Sequence, residues 1–142
     1  MIPQFREDGY LPERVHRATE SEVILRFGTS TSRRRKLAIK LRHWLALARL
    51  SGAKRFLLDG SFVTSTADPR DVDVVIWIAD DFEQQLANGF DAALELEELL
   101  VSGNSDDIFA AEDRRDWLEW MEFFGRTREL DGRRKGLVEV EL

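Results

Sequence analysis

The sequence predicts an α/β (α+β) domain, a small mixed sheet with helices packed on it. Two apolar runs of strand length, at 54–59 and 71–78, are bounded by turn residues. Three longer segments, 33–50, 90–101 and 112–126, repeat apolar residues at helical spacing. At 142 residues, 43% hydrophobic and 34% charged, the chain is long enough for one buried core and too apolar to stay disordered. A single domain over 1–142 is expected, made of an N-terminal arm (1–19), a core (33–110) and a C-terminal helix with an edge strand (111–142).

Residues 1–19 hold Pro3 and Pro12 with Gly9 between them and keep no sustained period. They read as an extended arm lying on the domain, anchored by Ile2, Phe5, Tyr10 and Leu11. Thr19 with Glu22 three residues on forms a capping box, so a short helix should run to Phe27 and stop at Gly28. Capping residues at 29–32 precede the clearest helix, 33–50, where Leu37, Leu41, Trp44, Leu45 and Ala48 make one stripe and Gly52 ends the run. Phe56, Leu57 and Leu58 mark the first core strand. Residues 62–70 read as a loop or short helical turn, closed by Asp68-Pro69. The strand at 71–78 is nearly all apolar, which assigns it a central place in the sheet. A polar segment follows to Gly89, then a helix over 90–101 with Ala92, Ala93, Leu96, Leu99 and Leu100 inward. Ser102-Gly103-Asn104 breaks it, and 105–110 reads as a short third strand. On 112–126, Trp117, Trp120, Met121 and Phe124 share a stripe that reads as core, with base stacking as the alternative. After a turn at Asp131-Gly132, residues 137–142 alternate Val138, Val140 and Leu142 against Glu139 and Glu141, as an edge strand does.

Composition narrows the function. The net charge of -6 argues against broad adhesion to nucleic acid. Two basic runs, at 33–36 and 133–135, are either solvated helix ends and turns or surfaces facing a triphosphate or an RNA. The absence of cysteine excludes a disulfide framework and a thiolate zinc site. No apolar run reaches the ~20 residues of a membrane span, and the N-terminus lacks the order of a secretion signal, so a cytoplasmic protein with no membrane partner is expected. His16 has no second ligand at metal spacing, and His43 reads as a packing or surface residue. Neither a Walker loop, nor a Rossmann glycine fingerprint, nor an HExxH helix is present.

The chemistry concentrates between residues 55 and 78. Asp71 and Asp73 stand at i and i+2, so on a strand their carboxylates would leave one face and would repel each other unless a cation lay between them. Hard oxygen ligands suit magnesium, and parallel carboxylates can bridge a metal pair that clamps both oxygens of an in-line displacement. Gly60-Ser61 follows the first strand, where a missing Cβ and a hydroxyl let the backbone approach phosphate. Asp59 is either a further ligand or an acceptor that steadies the turn.

Gly60-Ser61, nine intervening residues and Asp71-Val72-Asp73 resemble the hG[GS]…Dh[DE]h signature of polymerase-beta-like nucleotidyltransferases, above all the minimal ones. The stretches IPQFREDGYLPERVHRATESEV, LLDGSFVTSTADPRDVDVV and DGRRKGLVEVEL are similar to an uncharacterised family of small bacterial nucleotidyltransferase-like proteins. The resemblance implies a nucleotidyltransferase-like core with Mg2+ (or Mn2+) on Asp71, Asp73 and a third acid, and with Gly60 and Ser61 at the triphosphate of a nucleoside triphosphate. Asp107 is the best match for the third acid, with Asp106 and Glu139 in reserve. A nucleoside monophosphate would pass to a hydroxyl of RNA, tRNA or protein. Small stand-alone members of the superfamily often serve as toxins or phage-defence components, which implies an antitoxin partner. The competing expectation is a non-catalytic nucleotide-sensing or protein-interaction module on the same fold.

Overall fold

The capping box at Thr19 closes as its residue types require. The Thr19 hydroxyl accepts from the Glu22 N–H (3.2 Å), and Glu22 Oε1 accepts from the Thr19 N–H (3.3 Å). In the computed structural model, which describes residues 1–102 and 107–142, this box opens α1 (Glu20–Phe27), and Thr31 caps α2 (Ser32–Leu50). The predicted break at Gly103 and Asn104, the reserve ligand Asp106 and the start of the third strand lie outside the described residues. The remaining elements are β1 (Val15–Ala18), β2 (Arg55–Asp59), a 3-10 turn (Ser61–Val63), β3 (Asp73–Trp77), α3 (Phe82–Ala87), α4 (Asp91–Val101), β4 (Ile108–Ala111), α5 (Arg114–Phe124) and β5 (Leu137–Val140).

These elements make a mixed α/β fold. The five strands run in the order β1-β5-β2-β3-β4. β2 is antiparallel to both β3 and β5, while β1 pairs parallel with β5 and β4 parallel with β3. Alternation along the strands sorts their side chains onto two faces. Phe56, Leu58, Val74, Ile76, Ile108, Val138 and Val140 pack against α1, α2, α3 and α4 in the larger core. Leu57, Val75, Ala111 and Leu137 meet Trp117 and Phe124 of α5 on the other face. Helices thus cover both faces, which explains why β2 and β3 read as continuous apolar runs.

Four expectations need correction. Part of the arm is a strand, and β1 takes the sheet edge, so β5 is an interior strand flanked by β1 and β2. All four β5 residues are buried, Glu139 included, because Arg55 of β2 grips its carboxylate (Nε–Oε2 2.7 Å) while stacking over Trp117. Leu142 lies beyond the strand and is exposed. The polar segment before Gly89 contains α3, whose Phe82 is buried in the larger core. The second core strand starts at Asp73 and not at Asp71, since the Asp71 carbonyl accepts from the Phe62 N–H (3.0 Å) at the Gly-Ser corner. Finally, the basic run at 33–36 divides: Arg33, Arg35 and Lys36 are exposed on the first turns of α2, as a solvated helix end is, and Arg34 departs from that reading. Arg34 is buried, and Arg33 donates to the Pro69 carbonyl (2.9 Å).

Candidate functional site

Three neighbouring strands bring carboxylates to one end of the sheet, where β2 finishes and β3 and β4 begin. β2 ends on Asp59 and β3 begins on Asp73, and the two are direct partners across the antiparallel pair. By alternation Asp59 shares a face with Leu57 and Asp73 with Val75, the face that α5 covers further along. Asp107 immediately precedes β4, and its carbonyl accepts from the Val74 N–H (2.8 Å), which sets it beside Asp73.

The Gly60-Ser61 corner closes against this end. Gly60 has φ 91° and ψ 178°, a conformation essentially reserved for glycine. A Cβ there would stand 3.0 Å from both Asp71 Oδ1 and the Asp73 nitrogen. The Ser61 N–H and hydroxyl both donate to Asp71 Oδ1, at 2.8 and 2.7 Å, and the same hydroxyl accepts from the Arg70 N–H (2.8 Å). Both Ser61 donors are therefore turned to Asp71, which itself stands just outside β3. From beneath, the buried Arg34 guanidinium donates to the carbonyls of Phe27, Phe62, Thr64 and Thr66 at 2.6 to 3.0 Å. That one side chain holds the loop following the corner in place.

Electrostatics single out Asp73. Burial pushes its carboxyl up to about 7, and the charges of Asp71, Asp59 and Asp107 push the same way, with Lys135 opposing. Among the described residues no hydrogen bond reaches its carboxylate. Asp59 is buried and is raised first by desolvation, against the pull of Lys135, whose Nζ lies 2.9 Å from Oδ2. Asp59 Oδ1 is buried with no hydrogen-bond partner among the described residues. Asp107 pairs loosely with Lys40 of α2 (3.4 Å). Of the predicted site residues, Gly60, Ser61, Asp71 and Asp73 line one cavity of about 870 Å³, and Asp107 adjoins Asp73 while paired with Lys40. Glu139 is committed to Arg55.

The cavity has other walls that the sequence reading did not assign. Phe109, Phe123 and Phe124 also line it, as do Arg126, Arg128 and Lys135. Phe109 stands on β4, two residues after Asp107, and packs on the α5 face of the sheet. Of the predicted aromatic stripe, Trp117 is core, Trp120 donates its ring N–H to the Ala110 carbonyl (3.1 Å), and Phe124 alone reaches the cavity. Phe123, one position off the stripe and 56% exposed, adds a ring packed edge-on against Trp120 and Phe124.

Among the described residues no three His, Asp or Glu side chains converge to hold a metal ion. Each outer carboxylate has an oxygen engaged: Asp71 by Ser61, Asp59 by Lys135, Asp107 by Lys40. The unbonded Asp73 carboxylate and the second oxygen of Asp71, whose Oδ1 alone is engaged by Ser61, fit an incoming cation. Magnesium needs only one or two protein carboxylates when waters and substrate phosphates complete its octahedron. The donor set thus fits an ion that arrives with an anionic ligand, and does not fit a dedicated all-protein cage.

Fold and site together define an α/β protein with an acid-floored, aromatic-walled cavity at one end of the sheet. The chain belongs to the family of unknown function DUF6932, which it matches over residues 3–141. No curated protein and no solved structure matches it.

Proposed function

We propose that the protein is a magnesium-dependent nucleotidyltransferase with a nucleotidyltransferase-like core. The observation that carries the reading is the glycine corner closed on Asp71 beside the facing pair Asp59 and Asp73, all on one cavity wall. The strand connectivity agrees with it, since β2, β3 and the approach to β4 each contribute one acid. In this reading the oxygen of an acceptor hydroxyl bonds to the α-phosphorus of a nucleoside triphosphate. The bond to the bridging α–β oxygen breaks with its electron pair on departing pyrophosphate, and the hydroxyl proton passes to Asp107. Bound Mg2+ or Mn2+ would neutralise phosphate charge in such a site. Asp71 and Asp73 would hold the ion, with Asp71 releasing Ser61, whose donors then turn to the phosphate tail. Positioning and charge neutralisation do most of the work in such chemistry, so a covalent nucleophile is not required.

The acceptor in this proposal is a hydroxyl of RNA, tRNA or protein, and the setting a toxin or phage-defence system restrained by a partner; both rest on the sequence resemblance alone. One observation favours the second reading, a nucleotide-sensing or protein-interaction module. Ser61 spends both donors on Asp71 instead of pointing them into the cavity. Incubation with each α-labelled nucleoside triphosphate, Mg2+ and a cell extract separates the two. An enzyme labels RNA or protein and its Asp73→Ala variant does not, whereas a module labels nothing.

A further inference from the structure

Lys135 reaches the acid floor from the segment that leads into β5. Its Nζ stands 2.9 Å from Asp59 Oδ2, and the two side chains are only 14% and 4% exposed. The backbone is fixed on both sides of it. The Lys135 N–H donates to the Gly125 carbonyl (3.0 Å) and the Gly136 N–H to the Leu11 carbonyl (2.9 Å). Gly136 is packed so closely that a Cβ would run into the Pro12 carbonyl and stand 2.8 Å from His16 Nε2. The ammonium is therefore a held group, unlike a mobile surface lysine.

An ammonium has three donors, and Asp59 Oδ2 takes one of them. Lys135, Asp59 and Asp73 line the same cavity, Nζ lies 5.9 Å from the centre of the Tyr10 ring, and among the described residues no second acceptor takes the remaining donors, which face a ligand there. We propose that Lys135, positioned by Asp59, is the resident second cation of this site, binding phosphate oxygens where a two-metal site would put its second ion. The site then takes one divalent cation. This rests on the metal–nucleotide reading above and explains why the acids do not form a metal cage of their own: one corner of the cluster already carries a positive charge. The remaining carboxylates, Asp71 and Asp73, suffice for a single ion that keeps its waters and phosphate ligands. A pair that served folding alone could be exchanged for neutral side chains of similar volume with no effect on anion binding.

The test uses the full chain, Mn2+ counted by electron paramagnetic resonance, and calorimetry with inorganic tripolyphosphate in Mg2+. Wild type is expected to take one Mn2+ per chain. The double variant Asp59→Asn/Lys135→Met, which leaves no unpaired charge, should keep that Mn2+ yet bind tripolyphosphate at least about tenfold more weakly, the size of a lost charge-assisted contact. Lys135→Arg should recover most of the affinity. Two Mn2+ on wild type, or wild-type tripolyphosphate affinity in the double variant, overturns the proposal. The Mn2+ count on wild type decides even where a variant does not fold. No Mn2+ on wild type refutes the metal–nucleotide reading itself and takes this inference with it, an outcome distinct from two.

Discussion

Replacing Asp73 with asparagine removes a charge that the folded chain resists. The folded carboxyl titrates at about 7, against an ordinary value of 3.8. At about 1.36 kcal/mol per pH unit this gap corresponds to roughly 4 kcal/mol, and we take about half, because the carboxylate is part-exposed and solvent screens its neighbours. The folded value lies above the unfolded one, so the folded state keeps its proton longer, and stability falls as pH rises from about 4 through 7. Asp73→Asn should therefore stabilise the ligand-free protein at pH 8 by about 2 kcal/mol, raising Tm by roughly 4–8 °C. At pH 5, where folded Asp73 is mostly protonated but the unfolded carboxyl is already ionised, the gain should fall to roughly two-fifths of that. Thermal melts at the two pH values make the measurement. Mn2+ at about 100 times its Kd should then stabilise wild type by ~2.7 kcal/mol and leave the variant unmoved. A lower Tm for Asp73→Asn at pH 8, or an equal shift at both pH values, would make Asp73 a structural hydrogen-bonding residue and refute the argument.

The corner and its supports yield further expectations. Arg34→Met leaves the four carbonyls that the guanidinium serves without their charged donor and should cost about 3–4 kcal/mol in urea unfolding; a loss under 1 would mean that the loop holds itself. Gly60→Ala forces a side chain into a glycine-only conformation against Asp71, and should lower stability by about 1–3 kcal/mol while weakening Mn2+ binding. Unchanged Mn2+ affinity there would dissociate the corner from the site. Phe123→Ser removes a half-exposed ring packed edge-on against Trp120 and Phe124 and should cost about 1 kcal/mol of stability. If the aromatic wall stacks a base, nucleoside triphosphate binding falls about 5- to 100-fold while tripolyphosphate binding holds, and equal loss of both rejects the stacking role.

Where interactions close within a few residues, the sequence was readable. Thr19 and Glu22 cap each other across one turn, and the apolar stripe of α2 is a property of that helix alone. The Gly-Ser corner and Asp73 were legible for the same reason: a glycine, a hydroxyl and paired acids carry their chemistry in their types and spacing. Asp71 was misread as a strand residue, because its carbonyl is claimed by Phe62 across the corner. Phe123 was passed over because its neighbours on the helical stripe explained the pattern without it.

What the residue order determines here is therefore the local grammar: the caps, the helical stripes, the two core strands and the acid-bearing corner between them. Tertiary structure decided the rest. β1 joins β5 from the far end of the chain and moves the predicted edge strand inside the sheet. Arg34, read within a basic run, and Glu139, read as a reserve acid on an edge strand, are buried because the loop carbonyls and Arg55 come to meet them. Asp59 gains Lys135 from 76 residues away. A charge enters a core only with its partner, and when that partner is distant in sequence, nothing in the neighbouring residues announces it.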